Sequence, residues 1–234
     1  FTADSVARET VQQGDQIPGV SIVKGAGRVG DALRFTKKTK QVLCYKASVN
    51  GSKPSDNWSG TVSVWMKLDP DQDLPEGFCD PIQITAKKWN DAAFFIDFDK
   101  DVPRDFRLGV FSDHDVWNSK NIKWEDFPVA ERPMVTVKKP PFSRDKWTHV
   151  AFTFANINST TDKPSTAVLY LNGKRQGAIR KPMKFTWPKA DDETKEAMIM
   201  LGINYVGDMD ELAIWQRALS DEEIMQLYLH PEKT

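Results

Sequence analysis

Apolar residues recur at every second position in several short segments of this chain, and that spacing limits what it can fold into. Across residues 61–67, Val62, Val64 and Met66 fall on one face. Across 93–98 the set is Phe94, Ile96 and Phe98, and across 147–154 it is Val150, Phe152 and Phe154. A helix would spread such a set around its axis, whereas a strand gathers it on one side. The turn formers Asn50-Gly51, Pro54-Ser55, Asp69-Pro70, Pro140-Pro141 and Asn172-Gly173 punctuate these runs at even intervals. The segments are read as half-buried antiparallel strands, and their rhythm is that of a two-sheet sandwich.

Two local signals are sharper. Asn172-Gly173 follows an apolar run, and both positions accept positive φ, so Thr166–Leu171 and 174–179 are expected to form a hairpin. Ser220 and Glu223 have the spacing of a capping box, with Leu219 and Ile224 placed for a hydrophobic staple. A helix is therefore expected over Asp221–Leu229, stopping before Pro231. No linker, repeat or low-complexity tract interrupts the chain, so residues 1–234 are read as one all-β domain with one short C-terminal helix.

Bulk properties narrow the function. Lys+Arg is 32 and Asp+Glu 33, a formal net charge of -1, which argues against a nucleic-acid partner. No run approaches the ~20 apolar residues of a membrane helix, so no membrane span is expected. The chain starts at Phe1 and not at Met, which is consistent with a removed leader. Cys44 and Cys79 can form one disulfide or stay as two buried thiols, and the sequence does not choose. The three histidines, His114, His149 and His230, lie apart from any nucleophile motif and lack zinc-ligand spacing.

The C-terminal stretch is the most specific. Gly207-Asp208-Met209-Asp210-Glu211, then Arg217-Ala218-Leu219-Ser220, then the helix, resembles the closing motif of bacterial laminin-G-like jelly-roll domains of the concanavalin A-like lectin/glucanase superfamily. Residues 30–35, Trp147-Thr148-His149-Val150 and the 169–174 hairpin resemble three further family segments in the right order. Asp31 departs from the Gly usual in the family, and the 112–141 insert has no reading.

The resemblance implies a concanavalin A-like jelly roll in a secreted, periplasmic or cell-surface protein that contacts glycans. It also implies a structural calcium ion, with Asp210 as the matching carboxylate and Asp208 and Glu211 beside it; oxygen ligands suit that hard cation. The acidic runs Asp69-Asp71-Asp73 and Asp97-Asp99-Asp101 lack the Gly and Glu of an EF-hand loop and are read as solvated acidic loops. Asp97 and Asp99 alternate as a glucanase pair would, but no Glu accompanies them, so the chain is expected not to be an enzyme.

Eight Trp are present. Trp65, Trp147 and Trp215 are expected in the core. Trp89, Trp117, Trp124 and Trp187 stand in polar surroundings, and Trp beside Asn and Asp is the chemistry of sugar binding. The expected ligand site is Trp89, Asn90, Asp91, Asp113, Trp117 and Asn118, contacting a polysaccharide or other glycan. The alternatives are a protein-adhesion surface using the same loops, and a glycan hydrolase or lyase of the same fold.

Overall fold

The computed structural model describes residues 17–38, 42–188 and 196–233. In chain order the strands are β1 (Val20–Val23), β2 (Ala32–Phe35), β3 (Leu43–Lys46), β4 (Trp58–Lys67), β5 (Cys79–Thr85), β6 (Ala93–Phe98), β7 (Phe106–Phe111), β8 (Met134–Val137), β9 (Thr148–Ile157), β10 (Thr166–Leu171), β11 (Lys174–Arg180), β12 (Met198–Ile203) and β13 (Gly207–Trp215). The helices are α1 (Pro70–Asp73), α2 (His114–Trp117) and α3 (Asp221–Leu229). Every strand pairing is antiparallel. One sheet has seven strands in the order β1-β2-β13-β4-β9-β10-β11, the other six in the order β3-β12-β5-β6-β7-β8. Two stacked antiparallel sheets with crossed connections make the jelly-roll sandwich that the alternation implies.

The inner faces meet as expected. Val62 pairs with Phe152 and Val64 with Val150 across β4 and β9, while Ile82, Ile96 and Leu108 form a row across the other sheet. All seven are buried, and each contributes about 1.5–3 kcal/mol relative to exposure. Trp58, at the start of β4, sits at the hub. Its ring centroid lies 4.6 Å from Phe154, 5.5 Å from Phe94 and 6.0 Å from Phe185.

The strands are more enclosed than a half-buried reading predicts. On the outer face of β4, Thr61, Ser63 and Trp65 are also buried, because α3 packs there and Tyr228 stacks on Trp65 at 5.8 Å. The reason α3 can approach is Gly173. It follows Asn172 in a turn with φ of 50° and 73°, and a Cβ at 173 would stand 2.9 Å from Met225 Sδ. The Ser220 and Glu223 capping box is formed as the sequence predicts, and Leu219 and Ile224 pack together.

Two expectations for the tryptophans need correction. Trp147 precedes β9, is half-buried and lies under the Lys67 ammonium, since the strand begins one residue later. Trp215 ends β13 and is half-buried against the small cluster beneath α3. Cys44 and Cys79 are both free thiols; β12 runs between their strands. No helix among the described residues is long and apolar enough to cross a membrane.

Candidate functional site

The six-stranded sheet has an outer face that strand alternation assigns to solvent, yet much of it is covered. Phe95 points outward, opposite in sense to Phe94 and Ile96, and is only 4% exposed. Its ring lies across Gly109 on the neighbouring strand and stacks on Phe111 at 5.5 Å. This aromatic floor carries Trp89, from the β5–β6 turn, at 6.2 Å from Phe95 and 5.4 Å from Phe111.

The 112–141 insert supplies the rest. It folds as α2, two single 3-10 turns (Trp124–Asp126 and Val129–Glu131) and β8, and it lays Trp117 and Trp124 on the same floor. Trp124 meets Trp89 edge to face at 5.3 Å and carries the Arg132 guanidinium 4.0 Å above its ring. The three indoles thus form one cluster, in which Trp89 is 40% exposed and the other two are half-buried.

The polar residues expected at the site converge around that cluster. Trp117 Nε1 donates to the Asn90 carbonyl at 2.8 Å. Lys87 Nζ bridges Asp91 at 3.3 Å and Asp113 at 3.1 Å. Asp91 also accepts the His114 N–H, and Asp113 accepts the Thr186 N–H and hydroxyl at 3.0 and 2.8 Å. Asn118 is 5% exposed, with its amide spanning the Ile122 backbone in both directions. The six residues therefore lie together. Trp117, Asp113 and Asn118 hold loops to the sheet, and Trp89 offers the open apolar ring. Lys87 and Thr186 belong to the same network, and no periodicity or motif marks them. Beyond Val116, a cleft of about 840 Å³ opens between Asn158, Ser159, Lys163 and Lys184.

The acidic residues of the closing motif divide. Asp208 is held by Arg34 Nε and Nη2 at 2.6 and 2.9 Å, with Lys67 at 3.8 Å. Asp210 is fully buried; its Oδ2 accepts the Val29 N–H and its Oδ1 the Glu211 N–H, both at 2.9 Å. A Cβ on Gly27 would stand 2.6 Å from Asp210 Oδ2, 2.6 Å from the Asp31 carbonyl and 2.8 Å from the Val29 carbonyl. Three hard oxygens from β13 and the β1–β2 loop thus surround a cradle that only glycine leaves open. No group of three acidic, His or Cys side chains suited to a metal occurs among the described residues. A cation here would rely on one carboxylate plus carbonyls, a donor set that fits calcium.

Other candidate groups are engaged elsewhere. Asp69 caps α1, Asp71 accepts the Arg104 N–H and Asp73 pairs with Arg144. Asp97 is 3% exposed and paired with Arg107 through two nitrogens, and Asp99 meets the same guanidinium at 3.3 Å. His149 is buried with Nε2 2.8 Å from the Ser63 hydroxyl, and burial holds its imidazole at about 4.

Solved structures share this architecture at low identity, which is a likeness of fold. Domain 4 of AbnA, an extracellular arabinanase from Geobacillus stearothermophilus, solved with arabinotriose, is 20% identical with a TM-score of 0.50, over 89% of this chain and 81% of that one. The CBM40 domain of the Ruminococcus gnavus IT-sialidase, bound to α2,3 sialyllactose, is 14% identical with a TM-score of 0.50, over 84% and 95%. The binding domain of botulinum neurotoxin serotype D is 11% identical with a TM-score of 0.54; 90% of this chain aligns with 46% of it, so the chain spans about half its length. The binding domain of Paraclostridial Mosquitocidal Protein 1 is likewise matched over 46% of its length. No curated protein matches the chain. A family model matches residues 45–225, which include the indole cluster and most of the closing motif, and the chain belongs to that laminin-G-like family of the concanavalin A-like lectin/glucanase superfamily.

Proposed function

We propose that this domain is a non-catalytic carbohydrate-binding module of a protein that works outside the cytoplasm. The observation that carries the reading is the exposed Trp89 ring, backed by Phe95, Phe111 and Trp124 and flanked by Asn90, Asp91 and Lys87. A rigid indole stacks on the apolar face of a pyranose at little entropic cost, and the adjoining polar groups bond its hydroxyls. The fixed backing matters, because a ring that is already ordered loses little freedom on binding. That AbnA domain 4 and the CBM40 domain were solved with oligosaccharides is consistent with this use of the fold.

The non-catalytic part of the proposal rests on the carboxylates. Asp97 and Asp99 share Arg107 and so do not face each other across an open bond-cleaving gap. Calcium is proposed as a structural ion held by Asp210 with the Val29 and Asp31 carbonyls. It would supply charge to this oxygen cradle and tie the β1–β2 loop to β13. The test of the binding reading is Trp89→Ala. Its affinity for a bound glycan should fall roughly 10- to 30-fold, the loss typical of an aromatic anchor, while the thermal midpoint moves little. Unchanged affinity would remove Trp89 from the site.

A protein partner is the second reading. Val116 and Val129 are 42% and 75% exposed on the same insert, and apolar residues so placed suit an adhesion contact. Loss of partner capture on mutating those two residues, with glycan binding intact, would favour it.

A further inference from the structure

Four arginines among the described residues are withdrawn from the surface, and three of them have several acceptors. Arg34 and Arg107 are paired with carboxylates, and Arg104 donates to three backbone carbonyls. Arg132 is the exception. Its Nη2 donates to the Trp124 carbonyl at 2.9 Å, and its Nε is buried with no hydrogen-bond partner. No carboxylate pairs with it among the described residues. Nη1 donates to none of them either, and it stays open to solvent. A guanidinium carries five donors, and its charge is costly to leave unbalanced away from water.

The position of Arg132 gives this shortfall a use. The guanidinium lies 4.0 Å above the Trp124 ring, whose centroid is 5.3 Å from that of the exposed Trp89. A guanidinium stacked on an indole keeps in-plane donors for a carboxylate or a similar oxyanion. Its backbone is pinned on both sides. The Glu131 carbonyl accepts from the Lys181 ammonium, and the Pro133 carbonyl accepts the Val110 N–H at 3.0 Å. The charges around the two indoles nearly cancel. Lys88 and Lys123 are exposed next to Trp89 and Trp124, and so are Glu125 and Asp126, none of them in an ion pair among the described residues. Arg132 is therefore set apart by its placement and not by a general basic field.

We propose that the indole cluster is a subsite for an acidic sugar, with the pyranose on Trp89 and its oxyanion, a uronate carboxylate or a sulfate, on Arg132 Nη1 and Nη2. The sugar component rests on the carbohydrate reading above; the acidic component rests on Arg132. The oxyanion supplies the missing negative charge and accepts charge-assisted hydrogen bonds from the planar fork. A neutral sugar would stack on Trp89 and leave the Arg132 charge unbalanced.

The experiment is calorimetric titration near pH 7 with glucuronate, galacturonate and mannuronate oligomers, their methyl esters, and sulfated and unsulfated galactose oligomers of equal length. Esterification removes the carboxylate charge and keeps the sugar ring. At least one acidic oligomer should bind at least about tenfold tighter than its neutral counterpart, as a charge-assisted hydrogen bond would give. A preference confined to the uronates assigns the oxyanion as carboxylate, and one confined to the sulfated oligomer assigns it as sulfate. Arg132→Gln should remove the preference and leave the neutral affinity in place. Arg132→Lys keeps the charge but loses the planar fork, and should lower the preference partway. Trp89→Ala should weaken acidic and neutral oligomers alike. Equal affinity for acidic and neutral oligomers overturns the proposal, as does a preference that survives in both Arg132 variants. A loss on Arg132→Gln shared equally by acidic and neutral oligomers also overturns it, since that marks an arginine that only clips the insert in place. Binding of neutral oligomers alone overturns it and leaves the carbohydrate reading standing. Failure of every oligomer overturns it too, and if other neutral glycans also fail the carbohydrate reading falls with it.

Discussion

The Phe95 ring lies flat across Gly109, so close that a Cβ at position 109 would sit inside its van der Waals surface. That contact couples two strands to the indole cluster above them, because Trp89 rests on Phe95 and Phe111. Gly109→Ala must therefore push the ring outward. Overpacking of this kind costs about 1–3 kcal/mol. Urea unfolding should show that loss, and Trp fluorescence of the folded protein should shift as Trp89 is displaced.

His149 makes stability depend on acid. Burial holds its folded pKa at about 4, below the ordinary 6.5, so the folded state favours the neutral ring. Its contribution is complete above pH 6.5 and is lost as pH falls toward 4, where the unfolded chain binds the extra proton. The full effect is on the order of 3 kcal/mol. Chemical denaturation from pH 7 to 4 should show this slope, and His149→Gln should flatten it. Nδ1 has no partner to offset the burial, and Ser63 sits on Nε2.

Asp80 should act with the opposite sign. Its folded pKa is raised to about 7, so the folded state favours the protonated carboxyl, and stability declines as pH rises from about 3.8 to 7. Asp80→Asn is then expected to be more stable than the parent at pH 8 and little different at pH 4. Equal denaturation midpoints for parent and variant at pH 8 would contradict the raised carboxyl.

Calcium should stabilise the fold through Asp210. A ligand at 100 times its dissociation constant adds about 2.7 kcal/mol. Melting curves with millimolar calcium and with chelator should differ in the parent protein. In Asp210→Asn the difference should vanish, and the baseline should also fall because the Val29 and Glu211 N–H groups lose a charged acceptor. Identical curves for the parent in both conditions would remove calcium from the account.

Much of the architecture was legible because it is locally encoded. The Asn172-Gly173 hairpin and the Ser220 to Glu223 capping box each depend on a few adjacent residues, and both formed where expected. The inner-face sets on β4, β6 and β9 followed from strand alternation. The enclosure of the outer faces did not, since it depends on what packs there from far along the chain. Phe95 alternates outward, and its cover comes from Trp89 and an insert about 30 residues away. That insert has no period to read, because Trp117, Trp124 and Phe127 each dock singly and not as a stripe. The site residues were nominated by composition, Trp beside Asn and Asp. Which of them would face outward depended on loop hydrogen bonds that no short-range pattern predicts.

A glycan array of the intact protein, run once with calcium and once with chelator, tests the central claim most directly. The account predicts binding to a defined sugar class with calcium, weakened by chelator and by Trp89→Ala. Absence of binding to any glycan in either condition would contradict it.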